Sequence, residues 1–134
     1  MLNTAASPQS LFNGTSGGLQ RLYLKYQTTG GASRIGDVTE SAYASTNGTN
    51  SHILANRRNG TSQVLYYDGN AGSAATGGGL TYTSLLIGAA TTTTEVLNGN
   101  IAEIVMYSRS LSNAEMNQVG NYLATKWGTT WATV

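Results

Sequence analysis

Short apolar runs separated by polar turn signals make up most of the chain. The separators include five Asn-Gly or Asp-Gly dipeptides, which accept the positive-φ conformations of tight hairpin turns. They are Asn13-Gly14, Asn47-Gly48, Asn59-Gly60, Asp68-Gly69 and Asn98-Gly99. Many short strands joined by frequent turns are typical of a sandwich or barrel. The pattern therefore predicts an all-β fold.

The runs between the turns have the composition of strands. Residues 20–26 alternate between two faces, residues 51–57 and 62–68 flank Asn59-Gly60 as one hairpin, and residues 83–87 are rich in β-forming side chains. Residues 100–109 give the strongest strand signal, because both of their faces are largely apolar. Such a strand is expected at the centre of a sheet, with cover on each side.

The C-terminal part predicts a helix over residues 112–127. Ser112 and Glu115 have the spacing of a capping box, and Gly128 stands where a helix would end. Apolar residues then recur at three- and four-residue spacing, as expected of an amphipathic helix that lies on a sheet. They are Met116, Val119, Leu123 and Trp127. Trp127 is expected in the core, whereas Trp131 can pack back on the sheet or lie in a subunit contact.

The composition narrows the class of protein. A chain of 134 residues is expected to form a single domain over residues 1–134. Charged residues are only 10%, whereas 19 Thr, 13 Ser, 12 Asn and 17 Gly give an uncharged polar surface. The absence of cysteine excludes disulfides and thiolate metal sites. Scattered basic residues argue against nucleic-acid binding, and neither a signal peptide nor a membrane-spanning run is expected.

Residues 99–128 carry the resemblance to a known family. A strand ends in Tyr-x-Arg, a Leu-Ser joint follows, and an acid-capped helix finishes in Lys-Trp-Gly. The matching residues are Glu103, Tyr107, Arg109, Leu111, Ser112, Glu115, Tyr122, Leu123, Lys126 and Trp127. This order and spacing resembles the end of a concanavalin A-like, laminin-G-type jelly-roll domain, and residues 10–128 can be placed more loosely in the same way.

The resemblance implies an antiparallel β-sandwich, or jelly roll, with strands over about residues 10–109 and one C-terminal amphipathic helix packed on it. The first part of the usual jelly roll is shortened here. An incomplete sandwich leaves an edge strand or an apolar face exposed, and neighbouring subunits could cover it. We therefore expect a homo-oligomer.

Catalytic chemistry is not expected. Retaining glycan hydrolysis needs two carboxyls roughly 5 Å apart, and Asp37 and Glu40 are three positions apart, so on one strand they would fall on opposite faces. Glu103 is interpreted as a structural acid paired with Arg109, Arg57 or Arg58, or with backbone donors. His52, the single histidine, is interpreted as a strand residue. No catalytic residue and no metal ligand is assigned.

The candidate ligand patch comprises Tyr66, Tyr67, Asp68 and Asn70. Sugar sites combine an aromatic platform with amide and carboxylate groups that bind hydroxyls. The alternative is an ordinary hairpin end with one tyrosine in the core. Asp68 and Asn70 could contribute to a calcium site, but two side chains are too few for an ion that takes six to eight oxygens. No cofactor is therefore expected.

Two settings fit these features. The first is a non-enzymatic module on the surface of a phage virion, in the capsid or the tail, bound to other virion or capsid subunits and possessing weak affinity for cell-surface glycans. The second is a carbohydrate-binding module of a longer, secreted bacterial protein. A glucanase-type enzyme is the third alternative and has the least support, because paired carboxylates are missing. Nucleic acid and membrane partners are not expected.

Overall fold

The computed structural model describes residues 9–14, 20–24, 31–35, 39–43, 50–76, 84–89 and 95–134. Within them the chain forms two antiparallel sheets and one C-terminal helix. Two features considered in the sequence lie outside the described residues. They are the predicted turn at Asn47-Gly48 and Asp37, the first acid of the Asp37 and Glu40 pair.

The first sheet has five strands, and all of its pairings are antiparallel. They are β1 (Gln9–Gly14), β2 (Gln20–Leu24), β3 (Gly31–Ile35), β4 (Thr39–Tyr43) and β9 (Leu85–Ile87), in the order β4-β3-β2-β1-β9. The strand predicted over 20–26 is confirmed for its described residues 20–24, and the strand predicted over 83–87 is confirmed for residues 85–87. The turn predicted at Asn13-Gly14 is wrong, because both residues belong to β1 and pair with β2 and β9.

The second sheet is built around β6. Its strands are β5 (Leu54–Asn59), β6 (Ser62–Tyr67), β7 (Asn70–Ala71) and β8 (Ala75–Thr76), with β5 on one side of β6 and both β7 and β8 paired with it. The predicted β5–β6 hairpin is confirmed, although its turn residues are Gly60 and Thr61, because Asn59 still pairs with Ser62. Gly60 has φ 58°, a conformation that glycine adopts without steric cost.

The helix α1 (Asn113–Trp127) begins and ends where the sequence predicts. Ser112 is its cap: the Ser112 hydroxyl accepts from the Glu115 N–H, and the Glu115 carboxylate accepts from the Ser112 N–H. Gly128 ends the helix in the left-handed conformation. The described part of the chain contains no helix with the length and apolarity of a membrane span.

Arg109 strengthens this cap. Its two terminal nitrogens donate to the two carboxylate oxygens of Glu115, at 2.9 and 2.6 Å. Such a two-bonded pair is geometrically specific. These bonds, together with those from Ser112, lower the pKa of Glu115 from 4.5 to about 2. Arg109 is thus paired with Glu115, so it is not the partner of Glu103, which was one of the alternatives left open by the sequence.

The Glu115 pair predicts an acid-labile helix start. A carboxyl whose pKa is lower in the folded chain stabilises the fold above its unfolded pKa and loses that contribution as the pH falls through its folded pKa. We therefore expect the wild type to lose thermal stability, relative to Glu115→Gln, as the pH falls from 4.5 to about 2. Glutamine keeps the capping geometry without titrating. Melting followed by helical circular dichroism checks this, and an unchanged difference across the window would contradict it.

The core lies between α1 and the second sheet. Tyr66, Leu111 and Met116 form its buried cluster, and Val119 and Trp131 pack against it. β6 is covered on both faces, because its last three residues are buried although their side chains alternate in direction. Of the predicted helical stripe, Met116 is buried, Val119 and Leu123 are half-buried and Trp127 is exposed. The expectation that Trp127 lies in the core is wrong.

Residues 129–134 fold back along α1. Trp131 lies against Gly120, so closely that a Cβ on Gly120 would overlap the indole ring. Asn117 holds this tail: its side-chain oxygen accepts from the Trp131 indole N–H at 3.2 Å and from the Val134 N–H at 2.9 Å. Of the two alternatives for Trp131, the structure has the one in which it packs back toward the sheet, since it contacts both α1 and the buried cluster that includes Tyr66 of β6.

Residues 100–109 are not the expected central strand. Residues 101–107 lie in no ladder formed by the described residues, and residues 104–107 are exposed. Apolar character on both faces predicts that a segment can be covered, but it does not supply the neighbouring strands. In the described part of the chain, the first sheet ends at β9 and β4, and no strand extends either sheet to this segment. Among the described residues, the prediction of a covered strand over residues 100–109 is therefore wrong.

Candidate functional site

The candidate patch predicted at residues 66–70 surrounds the turn from β6 to β7. Asp68 and Gly69 form this turn with φ 50° and 84°, as the Asp-Gly dipeptide predicts for a two-residue hairpin loop. The turn therefore brings the two tyrosines and Asn70 together along adjacent strand ends. The burial of each side chain then decides what the patch can bind.

Neither tyrosine of the patch is available as a platform. Tyr66 and Tyr67 are each only 2% exposed. Tyr66 packs in the core, and the Tyr67 ring lies 4.8 Å from that of His52. Burial, and secondarily the charge of Asp68, raise the pKa of Tyr67, so its hydroxyl stays protonated. The expectation of an exposed aromatic face at this hairpin is wrong, because β6 is covered on both sides.

Asp68 is occupied by structural bonds. One carboxylate oxygen is 2.7 Å from His52 Nδ1, and the other accepts from the Ile53 N–H at 2.7 Å. The backbone carbonyl of Asp68 accepts from the Ala132 N–H at 2.8 Å. Asp68 therefore ties the segment before β5 and the C-terminal tail to one turn. Of the four predicted patch residues, only Asn70 is exposed, and its amide donates to the carbonyls of Tyr67 and Asp68.

The sequence indicated that His52 lies in a strand, but in the structure it lies just before β5. Its pairing with Asp68 resembles two members of a hydrolytic triad. However, His52 Nε2, the atom that would activate a nucleophile, is buried without a hydrogen-bond partner among the described residues. This arrangement orients the ring and gives it no nucleophile. Nor do three or more acidic or histidine side chains of the described residues converge where they could hold a metal ion.

A second group of polar and aromatic side chains lies at the end of α1, on the surface. We call it the Trp127 surface, and it comprises Glu103, Tyr122, Lys126 and Trp127. The Trp127 indole N–H donates to Glu103 at 2.8 Å, and Lys126 Nζ lies 3.2 Å from the same carboxylate oxygen. Tyr122 and Trp127 are 51% and 43% exposed. The surface thus presents two large rings beside two charged groups.

Lys126 is the centre of this arrangement. Its ammonium donates to the Tyr122 hydroxyl at 2.8 Å and lies 5.2 Å from the Tyr122 ring centroid and 5.3 Å from that of Trp127. The bond to Tyr122, then that to Glu103, raise the pKa of Lys126. The bond from Trp127 is the largest effect lowering the pKa of Glu103, to which Lys126 and Tyr122 add. Both groups are therefore charged at neutral pH and compensate each other.

The partners predicted for Glu103 are wrong in part. Glu103 is held by side chains, as the structural interpretation requires, but among the described residues these belong to Lys126, Trp127 and Tyr122 and not to an arginine. Arg57 bonds to Asn113 at the other end of the helix. The i, i+4 spacing of Tyr122 and Lys126 on a predicted helix was the signal that could have indicated their pairing. Nothing in the sequence placed Glu103 beside them.

The comparison with protein families agrees with this architecture. A family model described as the concanavalin A-like lectin/glucanases superfamily, of the laminin-G type, matches residues 4–117. The chain belongs to this superfamily. The class is therefore that of a lectin-like domain built from antiparallel sheets. No curated protein and no solved structure matches the chain.

Proposed function

We propose that this chain is a non-enzymatic recognition module that attaches weakly to glycans through the Trp127 surface. The carrying observation is the pair of half-exposed rings, Tyr122 and Trp127, beside Glu103 and Lys126. The lectin-like class of the domain supports the same ligand chemistry, although a fold alone does not establish a function.

The chemistry of the surface suits a sugar. The C–H face of a sugar ring packs on an exposed aromatic ring, while its hydroxyls donate to a carboxylate and accept from an ammonium. Trp127 and Tyr122 offer the rings, and Glu103 and Lys126 offer the acceptor and the donor. Because Lys126 already compensates the charge of Glu103, the surface favours an uncharged sugar. A shallow, open site of this kind is consistent with weak binding.

We propose no catalysis at this surface. Hydrolysis of a glycosidic bond requires one carboxylic acid that stays protonated and a second carboxylate roughly 5 Å away. Glu103 accepts from Trp127 and lies beside Lys126, and both interactions keep it ionised. It is therefore suited to accept hydroxyl protons and unsuited to donate one.

We propose that the module is displayed on a phage virion, in the capsid or the tail, among other virion subunits. A surface kept soluble by Thr, Ser and Asn, with 10% charged residues and no cysteine, supports such a setting. The alternative is a carbohydrate-binding module of a secreted bacterial protein. Mass spectrometry and electron microscopy of purified particles separate the two: the first requires the chain in the particle, and its absence from every particle would eliminate that setting.

We propose further that the two sheets stack face to face as the jelly-roll sandwich of the family. The burial of β6 on both faces supports this, as does the approach of its Cα atoms to those of β3 and β4 within 8 Å. A crystal structure with the sheets side by side would contradict the stacking.

The glycan proposal predicts which residues matter. On a glycan array, the wild type should bind with a Kd of about micromolar to millimolar. Trp127→Ala and Tyr122→Ala should each weaken binding at least about tenfold, the change that ~1.4 kcal/mol produces. Trp127→Phe should lose less, because it retains an aromatic face.

Asn70→Ala is the matched comparison, since it alters the one exposed residue of the hairpin patch. Binding by this variant should equal that of the wild type. Circular dichroism melts of all four variants establish that each is folded. A silent array, or a loss on Asn70→Ala without a loss on Trp127→Ala, would eliminate the Trp127 surface as the site.

A further inference from the structure

Residues 101–107, which we call the open segment, form a mostly apolar stretch whose side chains from Ile104 to Tyr107 are exposed. The segment runs without helix, turn or bend, and none of its backbone groups bonds to backbone elsewhere in the described residues. Ile104 and Met106 are 46% and 65% exposed, and Val105 and Tyr107 are exposed as well. Backbone groups that have no partner among the described residues, next to exposed apolar side chains, are the features that allow another strand to pair.

The open segment lacks the features that keep an edge from pairing. Soluble proteins protect edges with lysine, proline, bulges or very short strands. Residues 101–107 include neither lysine, proline nor glycine, and their single charge is that of Glu103. That charge is compensated by Lys126 and tied to Trp127. The segment therefore offers seven residues with no uncompensated charge.

We infer that the open segment pairs antiparallel with the same segment of a second copy of this chain, about a twofold axis at Ile104. In this register Ile101 lies opposite Tyr107 and Ala102 opposite Met106. Every residue of the segment then has a partner. This pairing of two chains goes beyond the proposed glycan function and does not depend on it.

Centring the pair on Ile104 pairs all seven residues of the segment, and charge disfavours the register shifted toward the N-terminus. Centring the pair on Ile104 sets Glu103 opposite Val105, so no like charges meet. Shifting the centre by one residue toward the N-terminus sets Glu103 opposite its own copy, which is unfavourable, and reduces the number of paired residues. A strongly charged partner strand would find no complementary charge here, whereas the segment complements itself.

The chain contains no cysteine, so engineered disulfides report this register directly. Ile104→Cys sets two thiols opposite each other, within the Cα separation of 4.4–6.8 Å that a disulfide needs, as facing residues of an antiparallel pair are roughly 4.5–5.5 Å apart. Under mild oxidation this variant should form covalent dimers. Met106→Cys is the matched control, because its two copies would lie about 14 Å apart along the pair and should remain uncrosslinked.

Mass measurement by light scattering at tens of micromolar should give two chains for the wild type and one for Ile104→Lys, which would set two ammonium groups face to face. Val96→Lys, at an exposed position outside the segment, should remain a dimer. A monomeric or trimeric wild type, equal crosslinking of the two cysteine variants, or a dimeric Ile104→Lys would overturn the inference. Glycan binding by monomeric Ile104→Lys is measured separately, so failure of one proposal does not obscure the other.

Discussion

Gly69→Ala is expected to lower the free energy of unfolding by about 2–3 kcal/mol. Gly69 has φ 84°, where an L-residue costs roughly 1–2 kcal/mol. A Cβ there would also overlap the backbone of Ala132, which cannot rotate away as a side chain could. The tail would have to move, with loss of the Ala132–Asp68 hydrogen bond, worth about 1 kcal/mol. Urea unfolding measures the change.

Gly60→Ala is the matched control for this prediction. Gly60 also has positive φ in a two-residue hairpin turn, but a Cβ there would meet no atom within 4 Å. Gly60→Ala should therefore lower the free energy of unfolding only by the cost of an L-residue at positive φ, about 1 kcal/mol. If the two alanine variants lose the same stability, the tail does not pack on the Asp68 turn as described.

Gly120→Ala is expected to destabilise the fold by about 2 kcal/mol, although alanine is the better helix former by roughly 1 kcal/mol. The added Cβ would overlap the Trp131 indole. Overpacking of this kind costs about 1–3 kcal/mol, and displacement of the ring would also break its bond to Asn117. Thermal or urea unfolding of the Gly120→Ala variant shows whether its free energy of unfolding is lower or higher than that of the wild type.

The cause of that loss can be isolated with Trp131→Ala as a background. Once the indole is removed, the Cβ at position 120 has room, and Gly120→Ala should then stabilise the helix by up to ~1 kcal/mol. The effect of the same substitution therefore reverses sign. A substitution that destabilises both backgrounds equally would contradict the packing of Trp131 on Gly120.

Locally determined elements were predictable from the sequence. The helix from Ser112 to Gly128 depends on caps that bond within one turn of chain, so the residues that form them are adjacent in sequence. The Asp68-Gly69 turn is predictable for the same reason. Asn13-Gly14 shows the limit, because a dipeptide that allows a turn does not require one when two neighbouring strands pair with it.

Burial was predicted less well, since it depends on residues that are distant along the chain. The period of residues 100–109 indicated a covered strand, yet the described strands leave Ile104 and Met106 exposed. The error is in the opposite direction for Tyr66 and Tyr67. Their position at a hairpin end suggested exposure, but α1 covers one face of β6 and the opposite face is also buried.

The candidate site was missed for a related reason. Trp127 continues the three- and four-residue spacing of the helix stripe, and spacing alone assigns it to the core. In the structure its indole N–H bonds to Glu103, which is 24 residues away. Only a contact across that distance identifies the exposed aromatic pair.

The most direct test of the Trp127 surface uses the two tryptophans of the chain. A ¹⁵N–¹H spectrum contains one indole signal from Trp127, which is 43% exposed, and one from Trp131, which is half-buried and bonded to Asn117. On titration with an array-selected glycan, the Trp127 signal should shift and the Trp131 and Asn70 signals should stay. Shifts at Asn70 with an unchanged Trp127 would contradict the account.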